Sequence, residues 1–274
     1  MTSILFPCRV IAISCSGSGI GFNDDPALDE SFYNLNWMES IPDDTRISAI
    51  SIPGTHESLT LYGLVPCQAW TLDKQLKVGL RYFDVHAGNW FIFQQSVDIR
   101  DSSLVIWQHT QFDEVLKIIL DFLQVHGSET VLLRVTLHGL YQKAVAKLIL
   151  KLIKNLKDRV WTELSVPNMQ QARGKIVFVQ SETFNTGVLN HDTFFPDDSK
   201  FKDIENKMKK VKNHLKVAEK NCGHHIVLTD TTATSLLNGP KKVARGVNKQ
   251  LSDLVVEHKK SSEKEMYMME WNLK

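Results

Sequence analysis

Cysteine, net charge and long apolar runs are all scarce in this sequence, and each scarcity excludes a class of protein. Four cysteines are scattered over 274 residues without the close spacing of a metal site, so we expect no disulfide framework and a reducing compartment as the default. The formal net charge of +1 gives no electrostatic reason to expect a nucleic-acid partner. No apolar run approaches membrane-spanning length, so we expect no transmembrane segment.

The N-terminal residues 1–19 contain small residues after an apolar stretch, as a secretory signal peptide does. However, Pro7 and Arg9 interrupt the apolar stretch, and no basic segment precedes it. We therefore favour a cytoplasmic location over secretion.

Strand-like and helix-like stretches alternate from residue 47 to residue 270, which favours a parallel sheet, and about seven such units favour closure into a barrel. We predict an α/β fold: one TIM-barrel-like parallel β/α barrel, which can be incomplete or distorted, over 37–274, after an N-terminal arm over 1–36. The predicted strands are 47–52, 81–86, 103–107, 130–137, 174–180, 225–230 and 266–271, and the predicted helices are 112–124, 140–157, 203–220 and 241–257.

The pentad from Pro53 to Glu57 is the strongest functional pattern. It follows an isoleucine-rich stretch that reads as a strand, so the chain presents an imidazole and a carboxylate directly after a strand end. In a parallel barrel all strands end at one mouth, so polar residues at strand ends converge there. The polar residues at the predicted strand ends are His56, Glu57, Asp84, His86, His109, Thr136, Ser181, Asp230 and Glu270. The histidines and carboxylates among them suit acid–base chemistry.

Four motifs resemble the X domain of phosphatidylinositol-specific phospholipase C. They are Ser51-Ile-Pro-Gly-Thr-His-Glu-Ser58, Gln75-Leu-Lys-Val-Gly-Leu-Arg-Tyr-Phe-Asp84, Phe122-Leu-Gln-Val-His-Gly-Ser-Glu-Thr130 and Ala172-Arg-Gly-Lys-Ile-Val177. The resemblance runs from about Trp37 to the C-terminus and is greatest to the single-domain bacterial type.

This resemblance implies a phosphoric diester hydrolase that cleaves the bond between inositol phosphate and diacylglycerol. His56 matches the family's base, and Glu270 falls where an aspartate orients that base. Glu57 replaces an aspartate that supports the acid, and Asp84 matches a carboxylate of the second strand. The resemblance also implies no cofactor, a monomer, and a phosphatidylinositol-type lipid met at a membrane surface by a peripheral protein.

Two departures from the family concern the chemistry itself. His86 stands where bacterial-type members have an arginine for the phosphate and calcium-dependent members a metal-binding aspartate, so phosphate stabilisation should be weaker. His109 is the candidate acid, but the loop around it is shorter than in the family. The alternative is that the family's histidine is deleted here and that His109 is only a neighbour of its former position. Catalytic competence is therefore open.

A third departure concerns specificity. Thr136 and Ser181 stand where bacterial members carry a lysine and an arginine for the headgroup, which argues against strong recognition of phosphorylated inositols. Asp197 or Asp198 is the candidate for an inositol-binding aspartate.

Two other functions stay open at this stage. The barrel can be a binding module for lipid headgroups or a protein, with the acid lost. Alternatively, Glu57, Asp84 and His86 can hold a divalent cation, although calcium prefers oxygen ligands. Contact with a bilayer is expected to involve Trp90, Phe91 or Phe93 near the mouth.

Overall fold

The computed structural model describes residues 10–13, 33–61, 67–101, 106–190, 203–220 and 225–231, with residues 244, 246–248, 250–251 and 253–254. Within this part of the chain, no helix combines the length and the apolar character that crossing a bilayer requires.

A mainly parallel sheet forms the centre of the molecule. Its described strands are β1 (Val10–Ile13), β2 (Ile52–Thr55), β3 (Tyr82–Gly88), β4 (Asp98–Arg100), β5 (Trp107–Gln111), β6 (Val131–Leu137), β7 (Val160–Trp161), β8 (Ile176–Val179) and β9 (Leu228–Asp230). The order is β7-β8-β6-β3-β2-β1-β9, and all these neighbours are parallel. An antiparallel pair, β4 and β5, is attached to the end of β3.

The helices that can be bounded within the described residues are α1 (Leu72–Lys77), α2 (Phe112–Val125), α3 (Gln142–Leu156), α4 (Met169–Ala172) and α5 (Ile204–Lys220). The predicted helix over 241–257 is represented by the helical residues between 244 and 254 that the structure describes. The apolar face predicted for α2 is buried as expected, with Phe112, Val115 and Ile119 completely enclosed.

Two single bridges continue the sheet from β8 round to β9. Val179 of β8 pairs with Val188, and Asn190 pairs with Ile226 just before β9, both in parallel orientation. Since β9 also pairs with β1, the strands form a ring, although two bridges make a much weaker seam than a full strand pair. The predicted fold class, a distorted parallel β/α barrel, is therefore confirmed.

Alternation along the strands divides the core into two layers. In β3, Phe83 and Val85 pack against the helices, whereas Tyr82 packs in a second cluster inside the ring with Leu132 and Val177. Side chains one and two pleats further along β3 face the same way as Tyr82, and these are polar. The barrel interior is therefore apolar towards the amino ends of the strands and polar towards their carboxyl ends.

Some predicted element boundaries were wrong. Pro53 and Gly54 do not end the first predicted strand but lie inside β2, and residues 47–49 form a 3-10 turn. Pro53 still takes part in the sheet, because its carbonyl accepts from Arg81 N at 2.9 Å. Glycine is required because a Cβ on Gly54 would come within 2.5 Å of Tyr82.

The sequence also gave no indication of β1, which lies in the sheet although it falls within the predicted arm. The boundaries of the arm (1–36) and of the barrel (37–274) stay a prediction.

A buried ion pair closes the end of the barrel opposite the carboxyl ends of the strands. Arg81 is fully buried; its Nε donates to Glu129 at 2.9 Å, and its other nitrogens donate to the carbonyls of Leu35, Leu76 and Leu80 at 2.7 to 2.9 Å. Glu129 also accepts from the backbone N of Met38. One guanidinium thus holds the segment before β2, the end of α1 and the start of β6 together.

We expect Arg81→Ala to lower the free energy of unfolding by about 3–5 kcal/mol, because it leaves the buried carboxylate of Glu129 without its charge partner. The measurement is denaturant unfolding followed by circular dichroism. Lys117→Ala, in the exposed Lys117–Asp121 pair on α2, is the control and should change stability by less than about 0.5 kcal/mol. Equal effects of the two substitutions would contradict this account of the closed end.

Candidate active site

Three neighbouring strands place polar side chains at one mouth of the barrel. His56 and Glu57 follow β2 directly, Asp84 and His86 point inward from β3, and Arg134 points inward from β6. The register aligns Asp84 with Arg134 and His86 with Thr136, so these side chains lie side by side. Convergence of strand ends, which the sequence predicts, is what the structure shows here.

Asp84 is the centre of this site. Its side chain is 1% exposed, and one oxygen, Oδ2, lies 2.7 Å from His56 Nδ1 and 3.1 Å from His86 Nε2. The other oxygen accepts from Arg134 Nη1 at 3.0 Å. The His56 contact is short, but its N–H does not point along the line to the oxygen, so it is an ion pair rather than a well-aligned hydrogen bond.

The turn that carries His56 is fixed by hydroxyl and amide groups. Ser58 Oγ accepts from the backbone N of Asp84 at 2.9 Å and donates to the carbonyl of Thr55. Gln75 of α1 donates to the carbonyl of Ser58 at 2.7 Å. Glu57 adopts a φ of 44°, a left-handed conformation that is uncommon outside glycine and that often marks functional sites.

A second pair of histidines extends the cluster. His86 Nδ1 lies 2.7 Å from His138 Nε2, and the two rings stack with centroids 4.8 Å apart. One of these nitrogens must carry the proton, since two lone pairs at this distance would repel. A continuous path of contacts therefore runs from His138 through His86 and Asp84 to His56.

The charges of the site shift its pKa values in opposite directions. Burial alone would lower the pKa of His56, but the carboxylates of Asp84, Asp230 and Glu57 outweigh it and raise this pKa to about 10. Burial alone would raise the pKa of Asp84, but His86, His56 and Arg134 hold it well below its usual range. Burial and the neighbouring His86 lower the pKa of His138.

His56, Glu57 and His86 form the group that could hold a metal ion among the described residues: one ligand atom of each lies within 4.8 Å of the others. The set predicted from sequence, Glu57, Asp84 and His86, is therefore not the set that the geometry favours. Asp84 instead contacts both imidazoles, as a carboxylate does when it orients metal-binding histidines from behind.

The predicted site residues fall into three groups. His56, Glu57, Asp84 and His86 come together, and Thr136 joins them by accepting from Arg134 Nη1 at 2.9 Å. Ser181 is buried, and its hydroxyl donates to the carbonyl of Val135 at 2.6 Å. Glu270 and Asp198 lie outside the described residues, as does the last predicted strand.

His109 is the candidate acid from the sequence, and the structure places it on β5, which pairs only with β4 among the described strands. Its side chain is exposed, and its ring lies 4.7 Å from the ring of Trp107. Its φ of 59° turns the backbone locally. His86 and His138, in contrast, belong to the cluster around Asp84.

Three residues of the site had no assigned role in the sequence analysis. Arg134 is a cation at an inward position of an otherwise apolar strand, and that pattern could have found it. His138 follows β6 directly, so the rule of strand ends that selected His56 applies to it too. Asp230, at the end of β9, was noted as a strand-end carboxylate, but its influence on His56 needed the closed ring to become visible.

No protein-family model matches the sequence. A curated relative, the 1-phosphatidylinositol phosphodiesterase of Listeria monocytogenes, is 24% identical over 285 residues, covering 93% of this chain and 87% of the relative.

Solved structures agree with that relative. The phosphatidylinositol-specific phospholipase C of Listeria monocytogenes has a TM-score of 0.73 at 23% identity, over 84% of this chain and 90% of that one. A variant of the Staphylococcus aureus enzyme of the same name has a TM-score of 0.67 at 16% identity, over 84% and 88%. The chain therefore shares the barrel fold of phosphatidylinositol-specific phospholipases C.

Proposed function

We propose that this protein is a phosphoric diester hydrolase that cleaves the bond between inositol phosphate and diacylglycerol in phosphatidylinositol-type lipids. The observation that carries the proposal is the pair of His56 and buried Asp84, 2.7 Å apart at the mouth of the barrel, with a quarter of the His56 side chain exposed. The name of the curated relative supports this substrate class. Membership of the X-domain family is part of the proposal.

His56 is the proposed base, which takes the proton of the inositol 2-hydroxyl as that oxygen attacks phosphorus. Asp84 fixes the ring of His56 and stabilises its charged form after the transfer. Glu57 and Glu270 are proposed to support this chemistry, as the family resemblance implies.

A phosphodiester cleavage also needs an acid for the leaving oxygen and positive charge for the phosphoryl oxygens. Arg134, fixed between Asp84 and Thr136, supplies a permanent positive charge next to the site. His86 is better placed as the acid than His109, because it contacts Asp84, which also contacts His56. Thr136, Ser181 and Asp198 remain proposed substrate contacts.

We expect His56→Ala to lower the rate of phosphatidylinositol cleavage by about 10²- to 10⁴-fold, because no other group takes the proton. The measurement is release of cyclic inositol phosphate from purified protein. His126→Ala is the matched control, since His126 lies at the other end of the barrel, after α2, where it contacts Asn36. Wild-type activity in the His56 variant would reject the assignment.

The raised pKa of His56 predicts an alkaline pH profile. A base acts only when neutral, and the neutral form increases as pH rises, so the rate should rise about tenfold per pH unit towards pH 10. Asp84→Asn removes a carboxylate that raises this pKa, so the inflection should move to lower pH while the maximal rate falls. Initial rates across the pH range measure this, and an unchanged inflection in the variant would contradict it.

The same raised pKa favours a second candidate function, a headgroup-binding module without turnover. At pH 7, three units below this pKa of about 10, only about one His56 in a thousand is neutral, so the site presents an imidazolium beside Arg134. A fixed cation suits a phosphate better than it suits a base. Calorimetric binding of a soluble inositol phosphate with no product formed would favour this candidate over the enzyme.

A metal-dependent phosphodiesterase is the third candidate. Two imidazoles and a carboxylate suit zinc, but a metal would have to displace Asp84 or His138 from His86, since both ring nitrogens of His86 already have contacts. We therefore expect cleavage to be unchanged after chelation and dialysis. Activity lost on chelation and restored by zinc would identify a metal enzyme instead.

We also propose that the protein acts as a monomer that meets its lipid at a membrane surface, in the cytoplasm or as a peripheral protein.

A further inference from the structure

Helix α3 presents a row of lysines on its outer face and contains no acidic residue. Its buried face is formed by Val145, Ile149 and Ile153. The opposite face carries four exposed lysines at helical spacing, which we call the lysine row: Lys143, Lys147, Lys151 and Lys154. Within the described residues none of the four forms an ion pair. Lysine faces with acids interspersed are ordinary solvated surfaces, whereas this face carries charge of a single sign.

The lysine row destabilises its own helix. Lys143, Lys147 and Lys151 follow one another at intervals of one turn, so their like charges are neighbours and repel. Lys143 also lies in the first turn, at the positive end of the helix macrodipole, where an acid would be favourable. The described helices α1, α2 and α5 carry lysine too, but each of them also contains acids. Local stability therefore does not account for the charge of α3, and a local rule broken in this way is typical of a functional surface.

The lysine row lies on the flank of the barrel and not at its mouth. α3 follows the carboxyl end of β6 and leads to β7, which starts at Val160 beside Ile176. Since Ile176 also pairs with Val131 at the amino end of β6, α3 runs from the mouth to the closed end. Lys143 and Lys154 are about 17 Å apart along that direction. A bilayer lying across the mouth is roughly perpendicular to the lysine row and cannot contact its full length.

An exposed apolar side chain stands among these cations. Leu150 is 45% exposed, and it lies one turn from both Lys147 and Lys154 on the helix surface. A phosphate backbone has no apolar group that would pack on Leu150, whereas a protein segment has. Apolar contacts surrounded by charged groups are the usual arrangement of protein interfaces. Leu150 therefore favours a protein as the partner of the lysine row.

Acids on the neighbouring helix limit the width of that partner. Arg159, just after α3, donates to the carbonyl of Leu120 in α2 at 3.1 Å, so the two helices are adjacent. α2 exposes the carboxylates of Asp113, Glu114 and Asp121. A broad anionic surface, such as a nucleic-acid duplex or an acidic bilayer, would meet these carboxylates as well and be repelled. A narrow protein segment can contact the lysine row alone.

We infer that the lysine row is a docking surface for an acidic segment of another protein, with Leu150 as an apolar contact between the charges. The carboxylates of the partner supply the acids that α3 lacks and so offset the repulsion along the helix. Because the lysines are exposed, the attraction should weaken as salt rises. The inference goes beyond the proposed function and does not depend on it, since no residue of the lysine row belongs to the candidate site.

The test is calorimetric binding of a synthetic peptide with glutamates at every third or fourth position around a central leucine. We expect binding at low salt that becomes at least about tenfold weaker at high salt. Lys147→Glu should weaken binding at low salt at least about tenfold, since it replaces an attractive charge by a repulsive one. Lys117→Glu is the matched control: it changes the net charge equally on the adjacent α2, where Lys117 is 75% exposed, and should bind the peptide like the wild type.

A stability measurement tests the repulsion within the lysine row separately. Lys147→Glu should raise the melting temperature by about 2 °C, because it turns two repulsive neighbours into attractive ones. Lys117→Glu should lower it, because it breaks the pair with Asp121 and adds a carboxylate to an acidic face. Lys147→Glu should also cleave short-chain phosphatidylinositol like the wild type, so loss of docking and loss of activity are distinguishable. A lowered melting temperature in Lys147→Glu would overturn the premise of the inference.

Four binding results would overturn the inference itself. The first is peptide binding that is absent in the wild type or unchanged by Lys147→Glu, which leaves a solvated helix face. The second is an equal loss of binding in Lys117→Glu, which makes net charge the cause. The third is tighter binding of heparin or of phosphatidylserine vesicles than of the peptide, lost in Lys147→Glu, which makes the row a site for a polyanion or a membrane. The fourth is unchanged peptide binding by Leu150→Ser, which removes the reason to choose a protein.

Discussion

The buried carboxylate of Asp84 is the group on which the arrangement of the mouth depends. An isolated carboxylate in the barrel interior would be strongly unfavourable, and three cationic or polarisable partners from three different segments compensate it. Satisfying that one charge positions His56 after β2, His86 on β3 and Arg134 on β6. The backbone contributes as well, because Ser58 accepts from the amide of Asp84 and so ties the His56 turn to β3. The contacts that compensate the charge of Asp84 therefore also set the geometry of the candidate site.

The compensation of the Asp84 charge affects the protonation of the histidines in the site. The carboxylates that hold His56 also favour its protonated form, and the neutral form needed for general base catalysis becomes rare at neutral pH. His138, in contrast, has a lowered pKa and so keeps its neutral form at neutral pH. A site with one persistent imidazolium and one neutral imidazole has both a cation for the phosphoryl oxygens and a group that can exchange protons. Whether substrate binding releases the proton of His56 decides between turnover and simple recognition, since a bound phosphodiester would favour the charged imidazole further.

Much of this arrangement follows from the sequence, because parallel strands deliver their ends to one place. The rule brought His56, Glu57, Asp84 and His86 together from two motifs about 27 residues apart, and the closed ring confirms the barrel. The same rule did not find Arg134. The strand β6 has six apolar or neutral residues and one arginine, so its sequence is typical of a core strand. The inward direction of the Arg134 side chain follows only from the pairing of β6 with β3. His109 follows an apolar stretch, but β4 and β5 form an antiparallel pair, which alternation of strands and helices does not anticipate. The role of His109 as the acid stays a prediction. Short elements such as β7 and α4 carry too few residues for any period to be visible.

The division between the inside and the outside of the barrel also explains how one strand serves two chemically different surfaces. Along β3 the inward positions change from Tyr82 to Asp84 to His86, so the interior becomes polar as the strand approaches the mouth. Four residues beyond His86 the chain has left the sheet, and its large apolar side chains, Trp90, Phe91, Ile92 and Phe93, are exposed. The polar interior and these exposed side chains are thus separated only by Ala87, Gly88 and Asn89, where a Cβ at Gly88 would meet the carbonyl of His138 at 2.7 Å. A molecule with a charged head and an apolar tail is the kind of ligand that meets both surfaces at once, and the close packing at Gly88 is what keeps them adjacent.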